Sequence, residues 1–246
     1  GSVAREGAVG TLSAVDLRRH HPDLMEATGK SRDKAAIDEA NRVALDREVK
    51  AALAIAGGNG IVAVNVMRAV TEYATYVRQS CESGAQAVVV GAGLPLDLPE
   101  LTAEHPDVAL VPILSDARGI GIVLKKWMRK NRLPDAIVIE HPGHAGGHLG
   151  AAKVEDLHDK RFDFENVLEA TFKLFRELGL AAEKIPLIVA GGIATPQRVR
   201  ELLGLGAAAV QLGTAFAVTE EGDAHPPFKK VLAEAKPTSS VNTSRM

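Results

Sequence analysis

Residues 185–216 read IPLIVAGGIATPQRVRELLGLGAAAVQLGTAF, two short apolar runs that each end in glycine, with a helical stretch between them. The first run passes into Gly191 and Gly192, after which Thr195 and Pro196 supply an N-cap and a first-turn proline, the signals that open a helix. Gly204 and Gly206 close that helix, and the second run ends in Gln211, Gly213 and Thr214. Glycine-bearing ends on two successive late strands, each followed by a helix start, fit the phosphate-binding end of a (β/α) barrel. There, unpaired amides and the positive helix end hold an anion. Glycine suits this role because a side chain would keep phosphate oxygens from the amides. For Gly191 and Gly192 taken alone, the alternative is a tight strand-to-helix turn without a ligand. No Gly-Lys-Ser or Gly-Lys-Thr follows these glycines, which disfavours a P-loop nucleotide hydrolase.

The same alternation runs back through the chain. Runs at 9–13, 61–67, 87–91, 109–115, 136–140, 187–190 and 209–213 are rich in Val, Ile and Leu and apolar on both faces, as parallel strands covered by helices must be. Between them lie amphipathic stretches such as DKAAIDEANRVALDREVKAALAIAGG (33–58), where Ile37, Ala40, Ala44, Leu45, Ala52 and Leu53 follow helical spacing and Gly57 and Gly58 end the helix. Strand and helix alternating on this scale make either an open doubly wound sheet or a closed barrel. No Gly-x-Gly-x-x-Gly turn follows the first run, which favours the barrel. Seven runs are one short of eight, and SVAREGAVGTLS (2–13) reads as the end of one helix entering a second strand. The expected fold is therefore α/β, a TIM (β/α)8 barrel lacking its first strand, with residues 1–235 as one domain. Residues 236–246, KPTSSVNTSRM, have the composition of a disordered polar tail. Residues 14–32 lack clean periodicity and are expected to form a lid or wall over the barrel mouth.

Charge excludes some partners. Lys plus Arg number 29 against 31 Asp plus Glu, so the net charge of −2 offers no basic field for nucleic acid. The one basic run, Lys125, Lys126, Arg129, Lys130 and Arg132, interleaves with Val123, Leu124, Trp127 and Met128, as the wet side of an amphipathic helix does. The single cysteine, Cys81, falls late in a helix and has no internal disulfide partner, which fits a reducing compartment. No apolar stretch approaches a membrane span, and GSVAREGAVG lacks a signal-peptide core, so a soluble cytoplasmic protein without membrane contact is expected.

The stretch EHPGHAGGHLG (140–150) holds three histidines and four glycines. In a helix, His141, His144 and His148 would share a face and suit zinc, but Pro142 and the glycines argue against a helix, and no metal is assigned. The loop follows the strand AIVIE and so lies at the C-terminal mouth, where barrels carry their chemistry. Gly146 and Gly147 let the backbone pass beneath a flat ligand, and His148 points a titratable group at whatever lies above. Asn65 in IVAVNVM stands near its strand's mouth with an amide able to bond a heterocycle edge. Gly91 and Gly93 in VVVGAGLP again remove side chains from the mouth. A glycine-lined floor with a phosphate grip suits a large planar cofactor, and flavin mononucleotide (FMN) fits better than a small sugar phosphate. A phosphosugar isomerase would call for a Lys or Glu base inside the barrel.

Taken in order, Asn65 in VNVM, GAGLP (91–95), AGGHLG (145–150), VAGGIAT (189–195) and QLGTAF (211–216) resemble the nitronate monooxygenase family, also called 2-nitropropane dioxygenase-like. They are similar to the flavin-dependent enoyl-acyl carrier protein reductases as well. The resemblance spans about residues 1–235 and implies an FMN-binding barrel. It implies flavin contacts at Asn65, Gly146 and Gly147, phosphate contacts at Gly191, Gly192, Gln211, Gly213 and Thr214, and an active-site histidine at His148. Family members open with a strand bearing a Gln-Gly-x-Met-like stretch that the present sequence does not include. The implied activity is oxidation of a small alkyl nitronate or nitroalkane with O2, and homo-oligomers are compatible with it. An enoyl reductase, an NAD(P)H:quinone reductase and a non-catalytic flavin-binding remnant remain alternatives.

Overall fold

The structure, a computed structural model, describes residues 1–144, 153–222 and 224–235. Its strands are β1 (Val9–Ser13), β2 (Ile61–Met67), β3 (Ala87–Gly91), β4 (Ala109–Leu114), β5 (Ile137–Glu140), β6 (Leu187–Ala190) and β7 (Ala209–Gln211). The helices are α1 (Ser2–Arg5), α2 (Pro22–Thr28), α3 (Lys34–Ala56), α4 (Tyr73–Glu82) and α5 (Leu98–Leu101), then α6 (Ala117–Met128), α7 (Phe164–Glu177), α8 (Pro196–Gly204), α9 (Thr214–Ala217) and α10 (Pro226–Glu234). The chain forms two compact units, one of residues 1–114 with 118–137, the other of 115–117 with 138–246. Strand order follows chain order within each, β1-β2-β3-β4 in the first and β5-β6-β7 in the second. Parallel strands in chain order, with helices between them, are the α/β architecture of the TIM barrel, here with seven strands among the described residues.

In the first unit β1 to β4 pair in parallel, with Ser13 opposite Asn65, Asn65 opposite Val89 and Val89 opposite Val111. All five residues of β3 are buried, so the run AVVVG is apolar because both its faces are covered. Helix α3 follows from its caps. Asp33 accepts hydrogen bonds from the amides of Ala35 and Ala36, and Gly57 ends the helix at φ +59° with its N–H on the Leu53 carbonyl. Of its inner stripe of Ala40, Ala44, Leu45, Val49, Ala52 and Ala56, the last two pack with Ala4 of α1 and Val62 of β2.

Residues 14–32 contain more order than their pattern suggests. A 3-10 turn over Leu17–His20 and helix α2 lie on α3. The Arg18 amide donates to Asn41 Oδ1 at 3.2 Å, and Arg47 pairs with Asp23 at 2.9 Å. Pro22 and Gly29 break this stretch into pieces too short to show a period. On α6, Val123, Leu124 and Trp127 are buried while Lys125 and Lys126 are exposed, and Trp127 Nε1 donates to the Pro95 carbonyl at 3.0 Å.

Candidate active site

In the second unit β6 and β7 pair with Ala190 opposite Gln211, so the turns that follow them leave the sheet side by side. Gly191 (φ +103°) and Gly192 (φ +70°) both adopt backbone that side chains resist. After them Thr195 caps α8, its Oγ1 accepting the Arg198 amide at 3.2 Å, with Pro196 in the first turn. Beyond Gln211, Gly213 is exposed and a Cβ added there would meet nothing within 4 Å. Thr214, also exposed, begins α9.

The histidine loop meets this surface from β5. The His141 amide donates to the Ala190 carbonyl at 3.0 Å, tying the end of β5 to that of β6. Residues Pro142–His144 then form a 3-10 turn, and the Gly143 amide donates to His141 Nδ1 at 3.1 Å. A ring nitrogen that accepts carries no proton, so a neutral His141 holds its proton on Nε2. The His141 and His144 rings lie 5.0 Å apart. Phe164 stands edge-on to His141 at 5.9 Å and carries Arg198 on its face at 5.9 Å, while Arg198 also pairs with Glu165 and Glu201.

The two glycines have a second reason to be glycine. A Cβ on Gly192 would lie 3.0 Å from Cγ and Cδ2 of His144, and one on Gly191 would lie 3.2 Å from His144 Cβ and 3.3 Å from the His141 carbonyl. The sequence reading gave that space to phosphate oxygens; in the structure the His144 side chain lies in it. The exposed turns ending β6 and β7, with Gly213 open, still fit a phosphate group reached through backbone amides.

The expected residues thus fall into three groups. Gly191, Gly192, Gln211, Gly213 and Thr214 come together at the ends of β6 and β7. Asn65 belongs to the first unit, half-buried on β2, its carbonyl accepting the Ala14 amide while its side chain bonds none of the described residues. Gly146, Gly147 and His148 lie outside the described residues. Among the described residues no three His, Cys, Asp or Glu are placed to hold a metal ion, and no helix is long and apolar enough to cross a membrane.

Sequence reasoning missed a polar cluster at the ends of β2 and β3. The Arg68 guanidinium stacks on Tyr73 at 4.6 Å and approaches Asp97 at 3.5 Å. Gly93, at φ +133°, gives room to the Arg68 stem, 3.1 Å from where its Cβ would be, rather than to a ligand at the mouth. Arg68 Nε, Tyr73 Oη and Asp97 Oδ1 are buried without a hydrogen bond among the described residues. Burial, reinforced by the Asp97 charge, pushes the Tyr73 phenol well above its ordinary range. Asp97 stands 29 residues beyond Arg68 and shares no motif with it or Tyr73, so only the folded backbone brings it to them.

The nitronate monooxygenase family profile matches residues 1–246. "Probable nitronate monooxygenase" of Bacillus subtilis is 34% identical over 110 residues, covering 44% of this chain and 28% of that one. "Nitronate monooxygenase" of Pseudomonas aeruginosa is 34% identical over 112 residues, 46% of this chain and 29% of that one. Among solved structures, FabK from Thermotoga maritima superposes with TM-score 0.56 at 23% identity, covering 78% of this chain and 54% of that chain. Nitroalkane oxidase from Streptomyces ansochromogenes gives 0.64 at 18% identity, covering 94% and 64%. The chain thus spans less than two thirds of each of these proteins, and the solved structures bear on the fold alone. Matched over residues 1–246 by that family's profile, the chain belongs to the nitronate monooxygenase family.

Proposed function

We propose that the chain is an FMN-binding oxidoreductase that oxidises small alkyl nitronates or nitroalkanes with O2. The observation that carries this reading is the pair of adjacent glycine turns ending β6 and β7, exposed and open at Gly213, in a chain of this family. Gly191, Gly192, Gln211, Gly213 and Thr214 would hold the phosphate of FMN, and Asn65, Gly146 and Gly147 would contact its ring. When bound, FMN supplies the redox chemistry. The protein's own groups bind, orient and move protons. His148 takes the α-proton from a neutral nitroalkane or, as imidazolium, stabilises the nitronate anion. His141, its Nδ1 held by the Gly143 amide, keeps the start of this loop on the end of β6. Cys81, buried and unpaired, is consistent with work in a reducing cytoplasm.

The test is an absorbance spectrum with added FMN, before and after anaerobic addition of ethylnitronate. A bound-flavin spectrum that bleaches with the nitronate supports the proposal, and protein that takes up no FMN overturns it. His148→Asn is expected to retain flavin and to lose about 100-fold in turnover of neutral nitroethane, within the usual range for a proton-transfer group. Turnover at the native rate would remove the base assignment.

A further inference from the structure

We infer that His144 is a phosphate ligand of this site. The inference rests on the FMN reading above and adds to it a residue that neither the glycine motifs nor the resemblance supplies.

The side chain of His144 lies against the Gly191–Gly192 turn. Its ring atoms Cγ, Cδ2 and Nε2 stand 3.0, 3.0 and 3.3 Å from the point a Gly192 Cβ would occupy. Both glycines have positive φ, and no other residue type would let the ring come so near. His144 is exposed, and among the described residues nothing is hydrogen-bonded to its ring nitrogens. Its backbone is fixed nonetheless, because the His144 amide donates to the His141 carbonyl at 3.0 Å and His141 is in turn bonded to Ala190. A ring N–H donor is thus carried on an anchored turn and applied to the surface that is to take a phosphate, and a hydrogen bond to the anionic phosphate is about twice as strong as a neutral one.

On α8, Arg198 pairs with Glu165 and Glu201, so its guanidinium is engaged by carboxylates beside the glycine turn.

The experiment compares FMN with riboflavin, which has the same ring and no phosphate, by quenching of flavin fluorescence on the full chain and on His144→Gln and His144→Lys. His144→Gln is expected to weaken FMN about five- to tenfold, the loss of one charge-assisted hydrogen bond. Riboflavin affinity stays the same in all three proteins, and His144→Lys retains tight binding of FMN. Equal FMN affinity of wild type and His144→Gln overturns the inference while leaving the FMN reading standing. So does an equal loss of riboflavin, which would make His144 a residue of the loop's packing. Failure of the wild type to bind either flavin overturns the FMN reading itself and the inference with it.

Discussion

Cys81 shows how a single side chain records its surroundings. It lies on the inner face of α4, 5% exposed, and burial, helped by the neighbouring Glu82 charge, pushes its thiol from 9.0 up to about 11. Because the folded value is raised, the stability this group contributes is complete below about pH 9 and is lost as the pH climbs towards 11. The thiol is expected to resist a disulfide reagent at about pH 8 in the folded protein and to react at once in concentrated guanidinium. Fast labelling of the native chain would mean that α4 opens readily. Gly192 is a residue of the same kind, since its identity is set by a neighbour, His144, that sequence spacing could not have supplied.

At the next scale, α8 joins the glycine turn to the rest of its unit. Thr195→Ala removes the hydroxyl that accepts the Arg198 amide and is expected to destabilise the protein by about 1 kcal/mol, read as a lower denaturation midpoint. A loss near zero would show that water replaces the cap. The elements themselves were legible because their signals are local. Six of the seven strands begin where the apolar runs do, and every strand ends on its run or within two residues of its end. Gly57 terminates α3 as its position implied. The differences have physical causes. At the end of β4, Ser115 already bends towards α6, and Gly213 turns out of the β7 direction with ψ −72° to start α9. The site was only half legible. Glycine turns and helix caps are written in consecutive residues, so the turns ending β6 and β7 could be read. The seating of His144 on Gly192 and the approach of Arg68 to Asp97 are contacts between segments that only the fold brings near.

Across the molecule, every strand pairing within the units joins neighbours in the chain, and the order of strands begins with β1. Among the described residues β1 pairs in parallel with β2, Val9 opposite Ile61, both of them exposed. The order of strands also bears on how the chain is made. Each new strand finds its partner already synthesised just behind it, so a nascent chain leaving the ribosome can add one strand and helix at a time to a growing sheet. Its apolar runs need not wait, uncovered, for a distant partner still to be translated.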